Sequence, residues 1–507
     1  MLVAQRRLPD ARAEAEKLIA ERPDCLAARI AKADILVLER KIPEALALAR
    51  AIQADAPDNL RNLNVLASAF VQSNQRDKAI DVLERAVRTA PAWVNVRFRL
   101  AGLYFLSGRY DSAARQYRTA LDHEPRNTQA LYLLAATLHQ SLRDDRRREL
   151  PWAVRRRHAA DAIAALNTLR TVEGPSCETS AELAQLYDFL GNGPRTIALL
   201  KRSVEEMTLH QLRQQAHAPS DADPFSFLGS VSTALRKAAA GLATFARAQR
   251  ERATNLNNLA WAYAIRGTHL HEAHRLATRS VALRTAGFNL DTLAWVDAQL
   301  GNLDAARANF LKALPLEPDP VVRIHLAVTC HKLGRRTEAD AHRKQAFALG
   351  QPAAEVHLEM ADACGQMGLR ERQLAAFEAA LAADPRHRLA RYRLAVALLE
   401  RGTDLARVAA LAETLHTADP ADPLYAGLLG AVCQLQGRTR KARSLLERAV
   451  APDPLLGSHP ISHYRYFMAL NLLARGDRGR AVGELKQYVA ATPKGPFAPK
   501  AIALIQR

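Results

Sequence analysis

The sequence predicts an all-α chain built by repeating a pair of short helices. Three observations carry this. Proline returns at Pro57, Pro91 and Pro125, each 34 residues after the last. The segments between them, VLASAFVQSNQRDKAIDVLERAVRTAP and RLAGLYFLSGRYDSAARQYRTALDHEP, align column by column: Leu66 with Leu100, Ala67 with Ala101, Phe70 with Tyr104, Ala79 with Ala113 and Ala86 with Ala120. The 507 residues are rich in Ala, Leu and Arg, strong helix formers. The 23 glycines and 24 prolines punctuate the chain too often for one long coiled coil.

The columns recur downstream, at Leu183, Ala184 and Gly191; Leu259, Ala260 and Gly267; Leu293, Ala294 and Gly301; Leu326, Ala327 and Gly334; Met360, Ala361 and Gly368; Leu394, Ala395 and Gly402; Leu429, Gly430 and Gly437; and Met468, Ala469 and Gly476. The first helix of each pair places a large residue and then a small one, which lets the second helix approach. The glycine allows the left-handed residue that ends the first helix. Ala306 and Ala313 lie seven apart, on one face of a second helix that packs back onto the first. Pro318 closes that unit, because its ring disfavours helix before it.

These columns resemble the tetratricopeptide repeat family, over about 13 copies and roughly 85% of the chain. The resemblance implies a right-handed superhelical solenoid whose first helices line a concave groove for an extended peptide or a partner helix. Residues 1–207 are expected to form one array, stretched by an Arg-rich insertion near 141–160. Residues 208–250 form an insertion with an amphipathic helix, in which Leu228, Val231, Leu235, Ala238, Leu242 and Phe245 repeat at helical spacing. Residues 251–493 resume the array, and 494–507 cap its exposed end. Met1–Arg6 reads as the tail of a helix that begins upstream, where an export signal would make the protein periplasmic or membrane-associated. As the chain stands, a cytoplasmic location is expected.

The formal charge of +19 at pH 7 is mostly arginine, spread along the chain. Nucleic acid is therefore not the expected partner. The apolar windows are too short and interrupted for a transmembrane segment, and the N-terminus lacks the apolar core of a signal peptide. Five cysteines make no disulfide framework. Cys330, Cys364 and Cys433 occupy the same column of three repeats, where small hydrophobes are expected. His269, His271 and His274 sit at a hairpin turn and are read as solvated, so neither a metal nor a cofactor is expected. No phosphate-binding, dinucleotide, zinc-protease or serine-hydrolase motif is present, and no enzyme is expected.

The expected function is a non-enzymatic scaffold for a protein or peptide partner. In the copies NNLAWAYA and LDTLAWV one groove column holds Trp261 and Trp295, preceded by Asn257, Asn258 and Asp291, with His325 in the next copy. Tryptophan anchors interfaces, and an amide bonds a peptide backbone in both directions. The family's carboxylate clamp of Lys and Asn has no match here, though Arg99, His325, Arg391 and Arg393 are placed to meet acidic groups. A second candidate surface is the basic patch of Arg146, Arg147, Arg148, Arg155, Arg156 and Arg157. This loop, or the 228–245 helix, is the expected route to any membrane surface. The NNLAW and LDTLAWV pair is similar to bacterial tetratricopeptide proteins of exopolysaccharide assembly and envelope protein sorting. Alternative readings are the non-catalytic arm of a transferase complex and an arginine-mediated binder of nucleic acid or an anionic surface.

Overall fold

A computed structural model describes residues 8–144, 149–216, 231–456 and 459–506, with side chains at 208–246, 248 and 459–461 outside the description. Among the described residues there are 26 α-helices and no strand. The chain divides into two compact units. Unit 1 holds residues 1–148 and 158–174; unit 2 holds 149–157 and 175–507.

Unit 1 is a run of antiparallel pairs. Helix Leu8–Glu21 packs on Leu26–Leu38, which pairs with Ile42–Asp55. Leu60–Gln72 with Arg76–Thr89 and Val94–Leu106 with Tyr110–His123 follow, and Thr128–Arg143 comes next. Unit 2 continues the pattern from Cys177–Phe189 to Arg478–Ala491. In both units the large–small columns are core: Leu66, Ala67, Leu100, Ala101, Leu394 and Ala395 are each at most 1% exposed. The second-helix alanines Ala79, Ala113, Ala306 and Ala313 are fully buried, where a methyl is all the helix–helix contact accommodates.

Helix starts fall just behind the repeat prolines. Asn59, Asn127, Asp319 and Asp422 each accept a bond from a backbone N–H two or three residues on, which satisfies an otherwise orphaned donor. Helix ends follow the glycine column. Gly301 caps Gly287–Leu300 at φ 90°, and a side chain there would meet nothing within 4 Å. The same column, read back at 34-residue steps from Gly108, holds Asn74 and Arg40 at φ 58° and 62°. The hairpin thus imposes the left-handed turn, and glycine merely relieves its cost. Gly301→Val is accordingly expected to destabilise the local hairpin by about 1 kcal/mol or more through backbone strain alone. An unchanged denaturation midpoint would contradict this.

The two interruptions of the register become longer helices. The stretched copy yields Trp152–Glu173, 22 residues long, whose residues from His158 belong to unit 1. Helix Gly193–Ala216 has 24 residues, and Val231–Ala264 runs for 34 without a break. That helix crosses residue 250, where the sequence reading ends the insertion. Leu228 lies outside the described residues, as do the side chains of Val231, Leu235, Ala238, Leu242 and Phe245.

At the other end, helix Ala498–Gln506 packs on Arg478–Ala491 through Ala498 and Ala501. Phe497 stacks on Tyr466 with ring centroids 4.8 Å apart, and its N–H donates to the Tyr488 hydroxyl at 3.0 Å. Cys330, Cys364 and Cys433 are free and buried. Burial pushes the Cys330 and Cys364 thiols up to about 11, so they act as small hydrophobes. Among the described residues no helix is long and apolar enough to cross a membrane.

Candidate functional site

The candidate residues of unit 2 lie on three first helices that pack as neighbours: Val231–Ala264, Gly287–Leu300 and Pro320–Lys332. The middle helix is buried nearly all round, from Asn289 through Ala298. At the centre is His325, whose imidazole stacks on Trp295 at 4.3 Å and 22° between planes. The Trp261 and Phe310 rings lie 5.8 and 6.0 Å from it. The His325 Nδ1–H donates to Asp291 Oδ1 at 2.9 Å. Burial works against a charged ring, but the Asp291 carboxylate, with Glu359 and Asp319 farther off, outweighs it and holds the His325 pKa above its usual value.

A histidine whose folded pKa is raised contributes stability below its unfolded pKa of about 6.5, and that contribution is lost as pH rises through the folded value. The stability gap between wild type and Asp291→Asn is therefore expected to be largest near pH 6 and to narrow at alkaline pH. Denaturant midpoints across pH check this; a constant gap would mean that His325 does not charge in the folded protein.

The structure thus brings Asp291, Trp295 and His325 together, but as core. Trp295 is 0% exposed, and its indole N–H donates to Gln366 Oε1 at 2.8 Å. This corrects the reading of Trp295 as an open groove wall: Gln366 and the His325 ring cover it. His325 Nδ1 and Asp291 Oδ1 are likewise taken up by each other. Three neighbours keep a different character. Trp261 and Asn258 are only half-buried. Asn257, one turn before Trp261 on the same helix, is 6% exposed, and its Oδ1 has no hydrogen-bond partner. A buried carbonyl oxygen without a donor is costly, and an incoming N–H would satisfy it.

The basic patch is placed differently from the sequence expectation. Arg146, Arg147 and Arg148 lie outside the described residues. Arg155 pairs with Asp422 at 2.6 Å, and Arg156 bonds Asp453 Oδ2 and Oδ1 at 2.6 and 3.3 Å. These two arginines are therefore neutralised inside unit 2; Arg157 is exposed. Arg393 pairs with Asp362, and Arg391 donates to the Pro385 carbonyl. Arg99 donates to Asn64 and to Ser68, the latter at 2.8 Å, with burial pulling its pKa down. His274 sits 3.2 Å from Asp297, and His269 occupies the left-handed start of helix Leu270–Leu283.

Sequence reasoning missed one constellation in unit 1. Ser141 Oγ lies 3.2 Å from His158 Nδ1, and His158 Nε2 lies 2.9 Å from Asp111 Oδ1. This is the serine–histidine–carboxylate order, but Ser141 and His158 are 3% and 1% exposed. Acyl transfer needs a nucleophile open to substrate and facing an oxyanion hole. Here the chain of polar groups instead ties Trp152–Glu173 to Thr128–Arg143 and Tyr110–His123. No local pattern announces it, because Asp111 and His158 belong to different repeats.

Tetratricopeptide repeat models match residues 70–137 and, in a second variant, 2–59 and 358–423. These stretches fall on helical pairs of the fold, and they are where the chain matches the tetratricopeptide repeat. Among solved structures it is similar to yeast Tom70, at 13% identity and TM-score 0.46 over 95% of both chains. It is also similar to YrrB, a TPR protein with an unusual peptide-binding site, at 14% identity and TM-score 0.32, over 40% of this chain and 96% of that one. MamA matches at 12% identity and TM-score 0.32, over 39% of this chain and 97% of its own. No curated protein matches the sequence.

Proposed function

We propose that the protein is a non-enzymatic interaction scaffold that takes an extended segment of a partner protein along the first-helix face around Trp261. The observation that carries this is the pairing of Asn257 with Trp261. A buried amide oxygen lacks a donor, and one turn away a large aromatic is left half-covered. Together they offer a bond to a backbone N–H and an anchor for an apolar side chain. Trp295, His325 and Asp291 form the rigid floor beneath. YrrB, itself described as binding peptide, is consistent with this mode. The NNLAW and LDTLAWV pair favours a bacterial multiprotein assembly at the envelope, of the exopolysaccharide kind, as its setting.

The test is affinity capture from a lysate of the source organism with wild type and Trp261→Ala. Because Trp261 is part-exposed but also packs on the core, the substitution is expected to lower the denaturation midpoint less than Trp295→Ala does, to leave the protein folded, and to remove the captured partner. A partner retained in full by a folded Trp261→Ala protein would sink the assignment.

A further inference from the structure

Segment Glu149–Arg157 is far in sequence from the residues it rests on, yet it is part of unit 2. Glu149 receives the Arg388 N–H and Nε–H, both at 2.9 Å. The Trp152 N–H donates to Asp419 Oδ2 at 2.6 Å. Arg155 lies over the Trp152 ring at 5.4 Å, donates from Nε to the Leu150 carbonyl, and reaches Asp422. Arg156 takes Asp453 in a two-pronged contact.

The two sides of this contact are built differently. No residue from 149 to 157 is buried, although Leu150, Trp152 and Val154 are available to be. Beneath them the Asp422 side chain is 1% exposed, and Asp419 is 6% exposed. Asp422 is fixed as well by capping helix Pro423–Leu435, where it accepts from the Leu424 N–H at 2.8 Å. Asp419 and Asp422 of the seat are thus buried, whereas the occupant is part-exposed throughout and held by bonds to these carboxylates, to Asp453 and to Arg388. Part-exposed ion pairs are weak and screened by salt. A buried carboxylate left unpaired is unfavourable, so an emptied seat favours any guanidinium that reaches it.

We propose that Asp419, Asp422 and Asp453 form a second binding site, which takes an arginine-pair segment of a partner protein, and that the chain's own Glu149–Arg157 occupies it as an exchangeable internal ligand. The site lies apart from Trp261 and does not depend on the reading given for that face.

The probe is the labelled peptide ELPWAVRRRH, residues 149–158 of the chain, titrated by fluorescence anisotropy onto the full-length protein at low salt. The tethered copy competes at high effective concentration, so wild type is expected to bind weakly. Arg155→Ala/Arg156→Ala frees Asp422 and Asp453 of their guanidinium partners and is expected to bind at least about tenfold more tightly. Adding Asp422→Asn, which keeps a good helix cap, is expected to remove that gain. Equal affinity for wild type and the folded double variant overturns the proposal, as does a gain that survives Asp422→Asn. Wild type alone gives an independent check. Excess unlabelled peptide is expected to speed hydrogen exchange at the Trp152 amide severalfold, and a peptide with the arginines replaced by alanine is not. Unchanged Trp152 protection under saturating peptide likewise overturns the proposal.

Discussion

Trp295→Ala is expected to destabilise unit 2 by about 3–5 kcal/mol, the usual cost of emptying a buried aromatic site. Trp295 is among the largest fully buried side chains of the chain. Removing it uncovers one face of the His325 ring, leaves Gln366 without its indole donor, and opens a void between helices that pack too tightly to collapse into it. Chemical denaturation followed by circular dichroism reads the loss. A repeat array unfolds in segments, so the transition assigned to unit 2 is the one to compare. A loss below about 1 kcal/mol would place Trp295 at a yielding surface. The contrast with Trp261→Ala is informative: the two residues share a column, but only one is closed over.

Gly427→Val is expected to cost about 3 kcal/mol through overpacking. A Cβ added at Gly427 would lie 2.2 Å from the Tyr464 ring. That ring is 1% exposed, and its hydroxyl is bonded to the Tyr392 hydroxyl at 2.9 Å, so it has nowhere to swing. Gly427→Ala is expected to show the same clash in milder form, and Gly427→Ala/Tyr464→Leu to recover part of it by shortening the obstructing side chain. Loss of stability in the double variant equal to the sum of the single losses would refute direct contact as the cause.

Much of the fold was legible because a repeat fixes it through local rules. The large–small pair Leu293–Ala294, the alanines at 306 and 313 and the left-handed residue at Gly301 state helix, contact and turn within one unit, and each neighbour restates them. Arg40 and Asn74 show where residue type understated the rule, since they hold the same turn without glycine. The candidate site was legible only in part. The sequence places Trp261 and Trp295 in equivalent positions, and nothing local distinguishes them. The difference arises from Gln366, 71 residues away from Trp295, and from His325 in the next copy. The arginines mislead for the same reason. Arg155 and Arg156 read as part of a basic patch open to a partner, yet their partners stand 267 and 297 residues later in the same chain. Asp422 caps its own helix, and its pairing with Arg155 depends on a segment that no periodicity connects to it.

The measurement that tests the central claim most directly is photo-cross-linking in the source cell, with a benzophenone amino acid placed at position 261 and, separately, at the exposed Leu316 as a surface control. The account predicts one dominant intermolecular product from position 261 that is absent from the control, and its loss when Asn257→Ala is added. Products no different from those of Leu316 would contradict a partner on the Trp261 face and would leave the helical array without the contact surface assigned to it here.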